Sequence, residues 1–291
     1  MLKKILFNVA PAITESHSFR RLLHTLDTAQ IEYLLSAALE PSPACTMLSA
    51  SLKTKFSVSS ADILMITDSS TGIASARNEQ LPCIGYAPSE SCENMSGAYA
   101  LFEDFASIDV SYLRRIHAHA AGYPADIFTT ERLILREFSN DDFPKLYAMC
   151  TEPSTASFME EIFSDYKTEQ EKHTAYIHNV YPFFDLALWG VFERNSGKLI
   201  GRAGFSLPED SDCTFSIGYL IDVPYRGQGY AKELIPALLS YAKEQGYSEI
   251  SARIKKGNAA SVNVLEQCGF PFTYEEDDSK GIKTYVIHLI E

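Results

Sequence analysis

The chain has 291 residues, 46% of them hydrophobic and 22% charged, which excludes extended disorder and gives about two domains enough material for separate cores. No apolar run reaches the roughly 20 residues needed to cross a bilayer, so a membrane-spanning protein is not expected. The net charge of −13 leaves no basic stripe for a phosphate backbone and excludes nucleic acid as the expected partner. Residues 1–125 hold 9 basic and 12 acidic side chains, so ten of the thirteen excess negative charges follow residue 125. Such a surface serves solubility or attracts cationic acceptors.

The start, MLKKILFNVAPAITES, imitates a signal peptide, but Asn8 and Pro11 interrupt its short apolar stretch and no small-residue cleavage site follows. It reads as a first strand of a cytoplasmic protein. Short apolar runs at 3–8, 31–38, 62–68 and 82–87 alternate with helix-like stretches at Ser16–Leu26 and Thr71–Glu79, the pattern of a parallel α/β sheet. Residues 109–121 predict a closing helix, with Gly122 as its stop and Pro124 beyond. A boundary within 122–127 divides the chain into domains 1–125 and 126–291.

After the boundary, Thr130–Glu137 alternates as a strand, and a helix starts at Asp141 behind acidic capping residues. Residues 187–205 predict two strands around Asn195-Ser196-Gly197. The strand Thr214–Ile221 leads into PYRGQGYA and an amphipathic helix through Gln245. The strand Glu249–Ile254, the helix Ala259–Cys268 and two strands near 272–274 and 284–290 complete the chain. Cys45, Cys83, Cys92, Cys150, Cys213 and Cys268 form no C-x-x-C pair and read as free thiols. His117 and His119, two apart on a helix, face different ways, so no metal site is expected.

The chemistry is concentrated at Ile221-Asp-Val-Pro-Tyr-Arg226-Gly-Gln-Gly229-Tyr-Ala231. A strand ends, a glycine-containing turn follows and a helix begins, which aims several unbonded N–H groups and a positive helix end at one point. Gly227 and Gly229 permit close approach of an anion, and Arg226 adds charge. The plain alternative is a strand–helix turn with glycines for flexibility.

Together with Asn258-Ala-Ala-Ser261 and the later Gly269-Phe270, this segment resembles the GNAT superfamily of acetyl-CoA-dependent N-acetyltransferases. The wording TERLILREFSNDDF, GKLIGRAGF and IGYLIDVPYRGQGYAKELI resembles the branch acting on ribosomal-protein N-termini, over residues 129–291. The resemblance implies an α+β domain with a mixed, mostly antiparallel sheet. It assigns the CoA pyrophosphate to the backbone of Arg226, Gly227, Gln228, Gly229, Tyr230 and Ala231. The pantetheine arm would pair with the main chain at Ile221 and Val223, where two strands splay apart in this family. The Tyr219 N–H would face the thioester carbonyl as an oxyanion donor, with its ring left to strand packing. Asn258 would contact pantetheine and Ser261 would lie near the sulfur.

Many superfamily members protonate the thiolate with a tyrosine in the helix before the Gly-Phe pair. This chain has Val264 and Leu265 there. The nearest branch turns to the serine of N-x-x-S, Ser261 here, as an acid or relay; a helix-start hydroxyl bonding backbone is the alternative. For the base, Glu275, Glu276, Asp277 and Asp278 lie between the last two strands, with Asp277 best placed, although acidic residues are also usual in a solvated hairpin loop. Glu160 and Glu161 are alternatives. An α-amino acceptor, with a pKa of about 7.7–8.0, loses its proton far more readily than a lysine at about 10.4.

Residues 3–121 resemble a truncated haloacid-dehalogenase-like (HAD) phosphatase domain, through DILMITDSSTGIASARNEQLPCIGYAPSE and the strand KKILFNVAPAITES. In place of that family's D-x-D, followed by Gly-Thr, stand Asn8, Ala10 and Pro11-Ala12. An amide forms no aspartyl-phosphate. Asp68 remains, a weak magnesium site without partners. The expectation is an amine N-acetyltransferase with an inactive HAD-like scaffold or sensor and acetyl-CoA as cosubstrate. A non-enzymatic CoA-sensing module and a phosphatase with an accessory acyl-CoA domain are the alternatives. The acceptor, a protein N-terminus or a small amine, would bind loops such as 155–185.

Overall fold

The computed structural model describes residues 2–37, 59–159, 165–206, 214–275 and 281–289. The chain divides into two compact units, Met1–Ala125 and Asp126–Glu291. Among the described residues, no helix is long and apolar enough to cross a membrane.

The first unit contains β1 (Lys4–Val9), α1 (His17–Thr28), β2 (Glu32–Ala37), β3 (Ile63–Thr67), α2 (Ser70–Asn78), β4 (Cys83–Tyr86), β5 (Leu101–Phe102) and α3 (Val110–Ala120). Its sheet has the order β2-β1-β3-β4-β5, and every pairing is parallel. All five residues of β3 are buried, as a central parallel strand covered on both faces requires. Phe7, Phe19 and Phe105 meet edge-on or tilted between sheet and helices. Each long helix starts on a side-chain cap: Ser16 accepts the Phe19 N–H, Ser69 that of Gly72 and Asp109 that of Tyr112. Gly122, at φ +78°, ends α3 in the left-handed conformation that only glycine takes without strain. The two-residue strand β5 carries too little pattern to be read from the sequence.

The second unit contains β6 (Asp126–Thr129), β7 (Leu133–Arg136), α4 (Phe143–Thr151), α5 (Tyr166–Asn179), β8 (Leu188–Glu193), β9 (Leu199–Ser206), β10 (Ser216–Ile221), α6 (Tyr230–Glu244), β11 (Glu249–Lys255), α7 (Ala259–Gln267), β12 (Phe272–Glu275) and β13 (Ile282–His288). Its eight strands run β12-β13-β11-β10-β9-β8-β7-β6. The β10–β11 pair is parallel and the others are antiparallel, which gives the mixed, mostly antiparallel sheet. Trp189, Val191 and Phe205 on the sheet and Leu234, Ile235 and Leu238 on α6 belong to one buried core.

Two expectations are corrected here. The strand anticipated at Thr130–Glu137 begins only at Leu133, because Thr130 and the Arg132 amide turn aside to bond Glu233. The chain 155–185, expected as loops, contains the 14-residue α5, started by Asp165 accepting the Thr168 N–H. Its apolar periodicity is weak because Glu169 and His173 occupy buried positions where aliphatic residues would mark a helix. His173 lies against Phe138 and Phe143 and bonds the Ser139 carbonyl at 3.0 Å, so this helix is anchored by polar contacts.

Candidate functional site

The site is built on the end of β10. Asp222 donates its N–H to the Ile200 carbonyl at 2.8 Å, and its register with β9 pairs Leu220 with Arg202 and Gly218 with Gly204. In an antiparallel ladder these alternate residues use their main-chain groups on that side, so Tyr219 and Ile221 turn theirs towards β11. The register of β10 with β11 consists of Ser216 opposite Ser251 alone. The strands therefore part before Tyr219 and leave its N–H facing an open edge, where an extended ligand can complete the ladder.

Beyond Ile221 the chain makes a single 3-10 turn, Val223–Tyr225, which Asp222 caps by accepting the Val223 N–H at 2.9 Å. The Val223 carbonyl accepts the Arg226 N–H at 3.2 Å. Strand-like pairing of a pantetheine arm at Val223 is thus corrected: its amide is bonded within the turn and its backbone is not extended. Ile221 retains its N–H, while its carbonyl accepts Arg226 Nε at 2.9 Å. The Arg226 amide likewise leaves the proposed phosphate set.

Gly227 (φ +73°) and Gly229 (φ +81°) then reverse the chain into α6 through two left-handed steps. The amides of Gly227, Gln228, Gly229, Tyr230 and Ala231 have no acceptor among the described residues, and they precede or begin a 15-residue helix with its positive end here. A Cβ at Gly227 would meet nothing within 4 Å. Concave backbone, unpaired donors and open space together fit a diphosphate.

The turn is held by side chains that the sequence did not mark. Glu233 accepts from Thr130 Oγ1 at 2.5 Å, the Arg132 amide at 2.8 Å and Arg132 Nε at 2.6 Å. Burial raises the Glu233 pKa, and these bonds outweigh it, holding the carboxyl below its ordinary value. Arg132 also donates to the Gln228 carbonyl at 3.0 Å and lies 4.5 Å from the Tyr230 ring centre. On the other side, Arg226 donates to Ser154 Oγ at 2.9 Å and Thr155 Oγ1 at 2.6 Å, and Lys145 pairs with Asp222. The Arg226 guanidinium is therefore a strut between the turn and residues 153–156. Lys255, on the other splayed strand, donates to the Met159 carbonyl at 2.6 Å. Residues 154–159 thus span the mouth between β10 and β11.

Ser261 lies in the first turn of α7, where the Asn258 side-chain oxygen accepts its N–H at 3.2 Å. That oxygen caps the helix. Burial holds the Tyr219 phenol above its usual pKa. The Tyr219 ring packs against the buried core of the unit, as expected. Asp277 with Glu276 and Asp278, and Glu160 with Glu161, lie outside the described residues.

In the first unit, Asn8 is the penultimate residue of β1 and pairs with Thr67 at the end of β3. Asp68 accepts the Ala10 N–H at 2.8 Å, so its carboxylate ties two loops together. A Cβ on Gly72 would come within 2.8 Å of the Asn8 side-chain nitrogen, which shows α2 packed tightly against β1 at this edge. Among the described residues, no group of three His, Cys, Asp or Glu could hold a metal ion. His117 is buried, with its Nδ1 2.7 Å from the Tyr123 hydroxyl.

Residues 132–271 match the family described as Acetyltransferase (GNAT) domain, and form such a domain in this chain. The uncharacterized N-acetyltransferase YoaA of Bacillus subtilis (strain 168) is 29% identical over 157 residues, 50% of this chain and 82% of that protein. The uncharacterized protein YkkB of the same organism is 29% identical over 93 residues, 31% of this chain; the chain spans about half, 54%, of its length. An acetyltransferase from Agrobacterium tumefaciens str. C58 aligns with 55% of this chain and 93% of its own, at TM-score 0.48 and 21% identity.

Proposed function

We propose that the GNAT domain of this chain transfers the acetyl group of acetyl-CoA directly to a primary amine, either a protein N-terminus or a small-molecule amine. The observation that carries this reading is the parting of β10 and β11 beside a turn whose successive amides are unpaired. The amides of Gly227 to Ala231 hold the pyrophosphate, and Ile221 N–H and Asn258 hold the pantetheine. The Tyr219 N–H then meets the thioester oxygen as negative charge develops on it. The attacking amine must be neutral, which favours an α-amino group near neutral pH. Orientation across the open edge supplies much of the rate, and Asp277 is the proposed proton acceptor.

Residues 1–125 are proposed to be a HAD-like scaffold or sensor without phosphatase activity. Support comes from the parallel sheet, from Asn8 and Ala10 in place of carboxylates, and from Asp68 bonding backbone. The protein is proposed to act in the cytoplasm.

The test incubates the full chain with labelled acetyl-CoA and a panel of amines and N-terminal peptides. Acetylated product on at least one amine is expected, with no magnesium-dependent hydrolysis of phosphate esters. CoA binding with no turnover on any amine would instead identify a CoA-sensing module.

A further inference from the structure

Glu233 places a carboxylate in the first turn of α6, the helix start whose unpaired amides face an anion. A negative charge there repels a diphosphate unless something offsets it. Arg132 does so. Its Nε reaches Glu233 Oε2 at 2.6 Å and its Nη1 the Gln228 carbonyl at 3.0 Å, while Glu233 Oε1 accepts the Arg132 amide at 2.8 Å. The guanidinium carbon lies 4.5 Å from the centre of the Tyr230 ring, whose hydroxyl is fixed on Glu193 at 2.8 Å. Two nitrogens and one face of the planar fork are thereby held. The third nitrogen, Nη2, has no acceptor among the described residues, and it is the nearest atom that a Cβ built on Gly229 would meet, at 3.6 Å. The side chain is 40% exposed, so a ligand can reach it.

We infer that Arg132 is a ligand of the CoA diphosphate, donating from Nη2 to a phosphate oxygen beside Gly229, with Glu233 as the positioning residue that aims it. The inference deepens the acetyltransfer reading and rests on its CoA site. The amides of the turn are neutral donors, and Arg132 adds a charged one, whose bond to an anion is about twice as strong. The arginine inside the turn does not fill this role. Arg226 commits Nε to the Ile221 carbonyl, Nη1 to Ser154 and Nη2 to Thr155. A lysine at position 132 would be a poor substitute, because a single ammonium on a flexible stem lacks the rigid fork that bonds Glu233, the Gln228 carbonyl and a phosphate at once. The Glu233 pair thus serves two ends: it fixes the fork, and it cancels the carboxylate that would oppose the ligand.

The experiment titrates CoA, and dephospho-CoA lacking the 3′-phosphate, calorimetrically into the full chain and its Arg132→Gln, Arg132→Lys and Glu233→Gln variants. The melting temperature of each is measured without ligand. Arg132→Gln should weaken CoA about 10- to 100-fold, the loss of a hydrogen bond to a charged group. Dephospho-CoA should weaken by the same factor, which assigns the contact to the diphosphate. Arg132→Lys keeps a cation beside Glu233, and so the fold, and should weaken both ligands about tenfold. Glu233→Gln retains an oxygen for Arg132 Nε and removes the repelling charge. Its CoA affinity should stay within about twofold of the parent or rise, although its melting temperature falls. A mere brace predicts otherwise: Arg132→Gln and Glu233→Gln, which break the same ion pair, would weaken CoA equally. That result, parental CoA affinity in both Arg132 variants, or a loss confined to CoA carrying its 3′-phosphate would overturn the assignment and leave the acetyltransfer reading standing. Failure of the parent to bind CoA would overturn both.

Discussion

The Arg226 guanidinium lies 2.6 Å from the Thr155 hydroxyl and directs a second nitrogen to Ser154, so the arginine of the RGQGYA turn braces the chain opposite it. Glu152 accepts from the same two hydroxyls, which orients them towards the arginine. Removing the strut with Arg226→Met should therefore act on the acceptor side. Acceptor KM should rise about tenfold, the equivalent of ~1.4 kcal/mol for a lost charged hydrogen bond, with CoA affinity nearly unchanged. Steady-state kinetics and CoA titration check this; an equal loss of CoA affinity would place the guanidinium on the phosphate instead.

Glu233 joins Thr130 and Arg132 to the first turn of α6, with its side chain 17% exposed. Its carboxyl is held below the ordinary glutamate value of about 4.3. A depressed folded pKa gives stability that is complete above that value and is lost as pH falls through the folded one. Glu233→Gln should cost about 1–2 kcal/mol at neutral pH, less than a fully buried ion pair because Arg132 is 40% exposed. The gap to the parent should close below about pH 4.3. Denaturant titrations at pH 7 and pH 4 test both statements, and a gap independent of pH would refute them.

In the first unit, burial pushes the His117 imidazole down to about 4. The folded form holds it neutral while the unfolded chain titrates it at about 6.5, so its contribution is complete above about pH 6.5 and falls away towards pH 4. The loss is on the order of 3 kcal/mol. Hydrogen exchange of the β1 and β3 amides should accelerate across this window in the parent. A His117→Gln variant, slightly less stable at neutral pH through the altered contact with Tyr123, should show a flatter dependence. Equal slopes would assign the acid sensitivity elsewhere.

The parallel sheet of the first unit, the helix stop at Gly122 and the glycine turn at 226–231 were legible because each is a local rule, period, cap or left-handed residue, while the mixed sheet came only from the resemblance. The contacts that complete the site were not. Arg132 meets Glu233 across 101 residues and Arg226 meets Thr155 across 71, separations that carry no sequence period. Helix α5 escaped because it buries Glu169 and His173 in place of an apolar stripe.

The central claim is that CoA seats on the amides of Gly227 to Ala231, and the most direct measurement is calorimetric titration of CoA into the parent and Gly229→Asp. A Cβ at Gly229 would lie 3.6 Å from an Arg132 nitrogen, ordinary contact, so the variant carries only the strain of φ +81°, about 1 kcal/mol, and should fold. It places a carboxylate where the pyrophosphate is held. The account predicts one CoA per parent chain, with about 2.7 kcal/mol of added stability at 100 times the dissociation constant, and no detectable binding to a folded Gly229→Asp protein. Unchanged CoA affinity in that folded variant would contradict it.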